Sequence, residues 1–566
     1  MSALPHLPLG TADFERLRSD GDVYVDKTGL MATFLTSRSP VFISRPRRFG
    51  KSLLCSTLRS FFTHGIEYFK GLELEHWWQE QPESIEQDLT GNTVLHLDFS
   101  VLELHEMEGF ARSFQKELTR TIKGVCPDFE SRPDWDAKAL MSAFLSSRES
   151  ASVVLLIDEY DAPFTYFMDR PDCLWQIRAI LDDFYRMLKD HEEKLKFFFL
   201  TGVTRITNAG VFAGFNNVDD LTLNGTYATL VGYTEEELHR CFEPYIQHAA
   251  QILNRTVDEV YSGLKDNYCG YRFSPQSNAA LYSPWSVLGF LEFPGSGFVN
   301  YWYDSGGLST DHKLYFARRC SLNVNEMAVL TKCSGSALDG GMVLNIDDKA
   351  QTIDDKAQTI TPDYDPTLML CQAGYLTIKE STYNPNFEDH TLLLGPSNNE
   401  VLKSLRRSLR DMVRKGLSTE LRGEVKNIKE TLLSGDLKKL SHIFECYLNS
   451  WTYDNKTLTS ENACRGLITT WLQAAGFDAI AEAHSAGGRC DILLTIPEAK
   501  LRYAFEFKVQ HQGENPDKRL GDALKQLVEN DYGQVPPVSF ELKKVGVVIG
   551  PDFRSIVKMS FVQDQT

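Results

Sequence analysis

The sequence predicts an α/β protein made of several units in a row. These are a parallel sheet with helices on both faces, a helical lid, a mixed α+β middle module and a second α/β sheet domain at the C-terminal end. Three observations predict it. At 566 residues the chain exceeds the roughly 250–300 residues at which one hydrophobic core stops growing. Four short apolar runs, VFIS (41–44), TVLHLDF (93–99), VVLLIDEYD (153–161) and FFFLTGVT (197–204), alternate with stretches of helical periodicity, the pattern of parallel strands joined by crossover helices. Finally, residues 451–566 run helix, three strands, helix, strand.

Taken in order, the first unit spans 1–240 and opens its sheet with strand, tight loop and helix: VFIS, RPRRFGKS, LLCSTLRSFF. A lid or accessory subdomain follows at 241–330. Its entry is GYTEEELHRCF (232–242), where Thr234 and Glu237 form a capping box. The middle module covers 331–450, and in it DPTLMLCQAGYLTIKE (365–380) reads as helix, Gly turn and strand, with a second strand at TLLLG (391–395). A winged-helix-like shape suits that order. IDDKAQT occurs twice in tandem (346–352 and 353–359), too few heptads for a coiled coil and read as a duplicated surface loop. VLKSLRRSLRDMVRKGL (401–417) is a basic amphipathic helix, by default a solvated face and otherwise a phosphate contact.

Composition narrows the class. With 42% hydrophobic and 24% charged residues the chain is an ordinary globular protein and not a disordered one. MSALPHLPLG lacks a signal peptide's basic and apolar regions, and no apolar run approaches the ~20 residues of a membrane span; a soluble, cytoplasmic protein is expected. Eleven cysteines without a CxxC pair read as reduced, mostly buried thiols. A net charge of −18 excludes a broad basic coat for nucleic acid. The charge is uneven, about +5 over 401–450 and about −21 over the first 400 residues, so nucleic-acid contact is expected in the C-terminal third.

A triphosphate site needs backbone N–H groups curled around the phosphates, a lysine reaching the terminal oxygens and a hydroxyl for Mg²⁺. Lys51 and Ser52, behind Gly50, supply the last two, and Pro46, Arg47, Arg48 and Phe49 complete the loop; the Gly that usually opens it is here Arg45. The strand VVLLIDEYD ends in Asp158, suited to the Mg²⁺ shell, and Glu159, suited to polarising the attacking water. Asp161 is a third carboxylate without an assigned role. In the C-terminal unit, Asp491 opens one strand, while Glu506 and Lys508 at i and i+2 on the next face the same side. Phosphodiester chemistry needs such a set: carboxylates for a divalent ion and a lysine for the attacking water.

On LPLGTADFERLRSDGDVYVDKTGLM, ISRPRRFGKSLL, LLIDEYDAP, FLTGVTRI, VGYTEEEL, YSPWSVLGFL, NYWYDSGG and CQAGYLTI, the chain resembles the prokaryotic AAA-ATPase-like proteins that carry a C-terminal PD-(D/E)XK nuclease domain. The resemblance runs over nearly the whole chain. It implies a P-loop (AAA-like) ATPase domain and a restriction-endonuclease-like fold at 451–566, and in it the loop RPRRFGK[ST] accounts for Arg45. It places Thr201, Thr204 and Arg205 where such ATPases sense the γ-phosphate, with Thr204 at the nucleotide. The family pattern E…GRxD…EFK…Q implies Asp491 and Glu506 as metal ligands, Glu461 as a further carboxylate of that set, Lys508 as the catalytic lysine and Gln526 as a supporting residue, with Cys490 standing where the name has Pro. The expected function is ATP binding and hydrolysis coupled to Mg²⁺-dependent cleavage of nucleic acid, DNA before RNA, in defence against foreign DNA, with a homo-oligomer as an open alternative. The rival reading is a nucleotide-dependent switch that binds nucleic acid or a partner protein without cutting it.

Overall fold

In the computed structural model, residues 4–302 are described apart from 105–106, 168–169, 208–214 and 216. Beyond them, 331–334, 342–346, 360–363, 366–385, 389–405, 407, 428–449, 460–475, 477–485, 488–530 and 539–562 are described. Most of the tandem repeat and of the basic stretch 401–417 lies outside the described residues. The chain divides into two compact units, 1–307 with 332–401, and 308–331 with 402–566. The segment 331–450, expected as one module, is therefore shared between them.

The first unit is built on a parallel sheet. Strands β1 (Val41–Ser44), β2 (Thr93–Asp98), β3 (Val153–Asp158) and β4 (Leu195–Gly202) lie in the order β2-β3-β4-β1, with the short strand Asp219–Asp220 beyond β1. Every pairing is parallel. The side chains of β1 and β3 are buried throughout, which is why these strands read as unbroken apolar runs and do not alternate. Because β4 lies between β1 and β3, the loop after β1 and the acidic end of β3 flank the carboxyl end of β4, the end of an open α/β sheet where ligands bind.

Helix α1 (Lys51–His64) follows β1 directly. Farther along come α2 (Glu235–Leu253), α3 (Val257–Tyr268) and α4 (Pro284–Glu292), which bury Leu238, Phe242, Ile246, Leu264, Val287 and Phe290 together with Leu7 from the N-terminal segment. The Thr234–Glu237 capping box is formed, and a second one, Thr256–Glu259, opens α3. A helix, α5 (Pro366–Gln372), a turn at Gly374 and the antiparallel hairpin β5 (Leu376–Asn384) and β6 (Asp389–Pro396) complete this unit. Helix–Gly–strand–strand is the order read from the sequence.

In the second unit, α6 (Leu437–Asn449) and α7 (Glu461–Ala474) precede β7 (Asp478–Ser485), β8 (Gly488–Ile496), β9 (Leu501–Val509), α8 (Pro516–Glu529), β10 (Glu541–Ile549) and β11 (Ile556–Phe561). The five strands pair in chain order, antiparallel except for the parallel β9–β10 contact that α8 makes possible by crossing over. One face is covered by α6 and α7 through Phe444, Ile468 and Trp471, the other by Ala523 and Leu527 of α8 against Cys490, Leu493 and Ala504. The sequence reading stopped at β10; β11 was missed because IVKMSF is half-buried and lacks an unbroken apolar run. Nine cysteines, Cys55, Cys126, Cys173, Cys241, Cys269, Cys371, Cys446, Cys464 and Cys490, are in no disulfide, four of them buried and five half-buried. No described helix is long and apolar enough to cross a membrane.

Candidate active sites

At the β1–α1 loop, Gly50 takes φ 97° and Arg48 φ 68°, left-handed conformations that curl the chain back toward the helix. Helix α1 has no side-chain cap, so its first N–H groups remain as donors for an anion. Lys51 is buried and folds onto the loop's own Pro46 carbonyl at 3.1 Å, with Glu159 at 3.8 Å. The Ser52 hydroxyl bonds Asp158, whose carboxyl burial raises to about 6 while Ser52 and Lys51 pull it down. Glu159 sits at φ 51° and donates its own N–H to the Asp158 side chain at 2.9 Å. A non-glycine residue there costs on the order of 1–3 kcal/mol, and strain of that kind gathers at functional sites. Lys51, Ser52, Asp158 and Glu159 thus meet at one point.

The rest of the loop is anchored to its surroundings. Arg45, in the place where such loops have glycine, is buried; it donates to the carbonyls of Ser44, Thr222 and Tyr227 at 2.7–3.1 Å and lies 4.5 Å from the Phe273 ring. It braces the loop from behind. Phe49 is buried between Tyr271 and Phe273, Arg48 stacks on Trp285, and the Arg47 carbonyl accepts from Trp302. Pro46 packs on Gly374. The Phe49 side chain therefore holds the loop to its surroundings, whereas the Arg48 guanidinium, besides its contact with Trp285, feels the charge of Glu159.

Asp161 accepts from Val203 N–H at 3.1 Å and Thr204 N–H at 2.6 Å, and burial raises its carboxyl to about 6. It ties the β3 turn to the end of β4, a structural task that leaves Thr204 buried with its N–H and C=O both bonded within the turn. Thr201 bonds the Ile43 carbonyl, and Arg205 pairs with Asp220 at 3.0 Å. Unforeseen in the sequence, Cys55 of α1 and His96 of β2 bring ligand atoms within 4.8 Å of each other and of Asp158. Burial pushes the Cys55 thiol well up and the His96 imidazole down.

In the second unit, β8 and β9 bring the predicted set together. Lys508 Nζ lies 2.9 Å from Glu506 Oε1. Phe507 N–H donates to Asp491 Oδ2 at 2.7 Å, and Val509 N–H donates to Glu461 Oε2 at 3.0 Å, which hangs the first residue of α7 over the end of β9. Burial and the Asp491 charge push Glu506 up to about 7 against the pull of Lys508. Burial opposes the charged form of Lys508, but the bond to Glu506 prevails and raises it. Glu506 Oε2 is buried with no hydrogen-bond partner, a costly arrangement that a cation would relieve. Three carboxylates around one lysine are a hard-oxygen donor set that fits such an ion. Gln526 lies half-buried on α8, whose Ala523 and Leu527 cover Ala504, two residues before Glu506 and therefore on the same face of β9. The sequence reading missed Arg465, whose Nη1 lies 2.6 Å from Asp491 Oδ1; its spacing of four residues from Glu461, one helical turn along α7, was the available signal.

Comparison with known proteins follows the same division. Residues 8–212 match the family model described as "Predicted AAA-ATPase", and residues 459–559 match that of the PD-(D/E)XK nuclease superfamily. Over 560 residues the chain is 27% identical to a protein of Azotobacter chroococcum mcd 1 described as "Uncharacterized protein in vnfD 5'region", covering 97% of this chain and 98% of that one. No solved structure matches.

Proposed function

Since the chain joins an AAA-ATPase-like domain to a C-terminal PD-(D/E)XK nuclease domain, both of them enzymatic, we propose that it is an ATP-regulated, Mg²⁺-dependent nuclease acting on DNA before RNA. The observation that carries this reading is the convergence of Asp491, Glu506 and Lys508 beneath Glu461, with one buried carboxylate oxygen unpartnered. A bound divalent cation would supply Lewis acidity to the phosphodiester and lower the pKa of a coordinated water. Asp491, Glu506 and Glu461 hold that cation. Lys508 orients the attacking water or balances the charge that grows on the phosphate, and Gln526 is a supporting residue on α8, which covers the same face of β9.

At the first site, the N-terminus of α1 and Lys51 bind the triphosphate, while the backbone of 46–50 cradles it. Ser52 and Asp158 take the Mg²⁺ and Glu159 orients the water; Thr204 serves through the turn that Asp161 fixes. Functionally, 1–240 turns over nucleotide with 241–330 as its lid, and 451–566 cuts, with the ATP state gating access to the nuclease. A cytoplasmic protein that restricts foreign DNA, alone or as a homo-oligomer, fits this division of labour.

Incubation of the purified protein with plasmid, linear and single-stranded DNA and with RNA, with Mg²⁺ or Mn²⁺, with and without ATP, tests the reading. Cleavage that needs the cation, responds to ATP and disappears in Lys508→Ala is expected. A parent protein that binds nucleic acid but never cuts it would replace this reading with a non-cleaving switch.

A further inference from the structure

The guanidinium of Arg465 holds the carboxylate on which the nuclease reading depends. Arg465 lies on α7, one turn after Glu461, and its Nη1 reaches Asp491 Oδ1 at 2.6 Å; both side chains are only 12% exposed. The other Asp491 oxygen accepts the Phe507 N–H at 2.7 Å. Each oxygen of this aspartate thus already has a donor. Its neighbour presents the opposite picture, with Oε1 of Glu506 on Lys508 and Oε2 buried without a hydrogen-bond partner. A divalent cation bound by both carboxylates would have to share the Asp491 charge with Arg465.

We propose that Arg465 is a positioning residue that acts as an internal counter-ion, holding Asp491 in the metal-free protein and exchanging with the divalent cation on loading. The inference rests on the reading of Asp491 as a metal ligand. Two positive charges cannot share one half-buried carboxylate at little cost, because like charges repel strongly where water is scarce. Breaking a charge-assisted Arg–carboxylate bond therefore enters every metal-binding event. The cost sets a threshold: the cluster loads at higher cation concentration than its three carboxylates alone would require. The segment that carries Arg465 begins with Glu461, itself a proposed ligand, so loading and the position of α7 are coupled through a single helical turn.

Calorimetric titration of Mn²⁺ into the full-length protein, without nucleotide or nucleic acid, tests this. Arg465→Gln keeps length and polarity but removes the competing charge, so affinity should rise at least about fivefold, the scale on which one nearby charge shifts an ionic equilibrium. Arg465→Lys, which restores the charge, should return most of the way to the parental affinity. A merely structural arginine would lower the melting temperature in both variants without tightening Mn²⁺. Unchanged or weaker binding in a folded Arg465→Gln overturns the proposal. Asp491→Asn separates it from the site reading: if that variant binds Mn²⁺ as the parent does, Asp491 is not a ligand and both fall. If it loses Mn²⁺ while Arg465→Gln gains none, the site stands and the counter-ion role does not.

Discussion

Glu506 is the residue whose environment decides most about its site. Burial and the Asp491 charge lift its carboxyl from an ordinary 4.5 to about 7. A raised carboxyl favours the protonated form in the folded state, so its contribution is complete below about pH 4.5 and is lost as pH rises through about 7. Metal-free protein should therefore lose stability over that window. Glu506→Gln should melt a few degrees higher than the parent at pH 8 in EDTA, and the difference should shrink at pH 5; a parent-like melt at pH 8 would deny that this carboxyl is strained. In the other unit, Lys51→Ala removes the buried ammonium now resting on the Pro46 carbonyl and should weaken ATP by roughly 10–100-fold, the worth of one charge-assisted bond, measured by titration with a fluorescent nucleotide. Glu159→Gln should leave that affinity in place while turnover falls by about 100-fold.

At the scale of elements, the phosphate loop is held by the parts of its unit that follow in sequence. Gly374, between α5 and β5, takes φ 86°, and an added Cβ would stand 2.8 Å from Pro46. Behind it, Trp302 packs edge-on to Tyr375 and donates to the Arg47 carbonyl, while the buried Glu400 carboxylate accepts from Trp302 N–H and the Ser286 hydroxyl. The hairpin segment and α4 thereby brace the loop from residues more than 200 positions away. Gly374→Ala combines a left-handed Cβ with a collision, and should cost about 1–3 kcal/mol or more and weaken nucleotide binding. Gly21→Ala, at φ 70° with no atom within 4 Å, carries only the strain and should leave nucleotide affinity unchanged. Equal losses of affinity in the two variants would remove the hairpin from any part in shaping the loop.

For the whole molecule, the two compact units predict two unfolding events, because cooperative melting follows the contiguous core and not the chain. Calorimetry should resolve a transition that ATP with Mg²⁺ raises and another that Mn²⁺ alone raises, each by about 2.7 kcal/mol at a hundredfold excess over Kd. Lys51→Ala should abolish the first shift and Asp491→Asn the second. A single transition moved equally by either ligand would mean that the units melt as one.

The sequence alone determined the α/β class and the strands that carry each motif, and it singled out Lys51, Ser52, Asp158, Glu159, Asp491, Glu506 and Lys508 as candidates. These follow from local rules: buried parallel strands are unbroken apolar runs, and i, i+2 residues share a strand face. Sequence distance hides the rest. That Arg45 is a brace, that Phe49 packs against Tyr271, that Asp161 secures a turn and that Arg465 sits on Asp491 depend on contacts between residues 26 to 222 positions apart. The tertiary structure also decided that 376–396 belongs with the phosphate loop while 437–449 belongs with the C-terminal sheet. Periodicity reports which face an element buries, whereas the identity of what it is buried against is settled only when the chain closes its long loops.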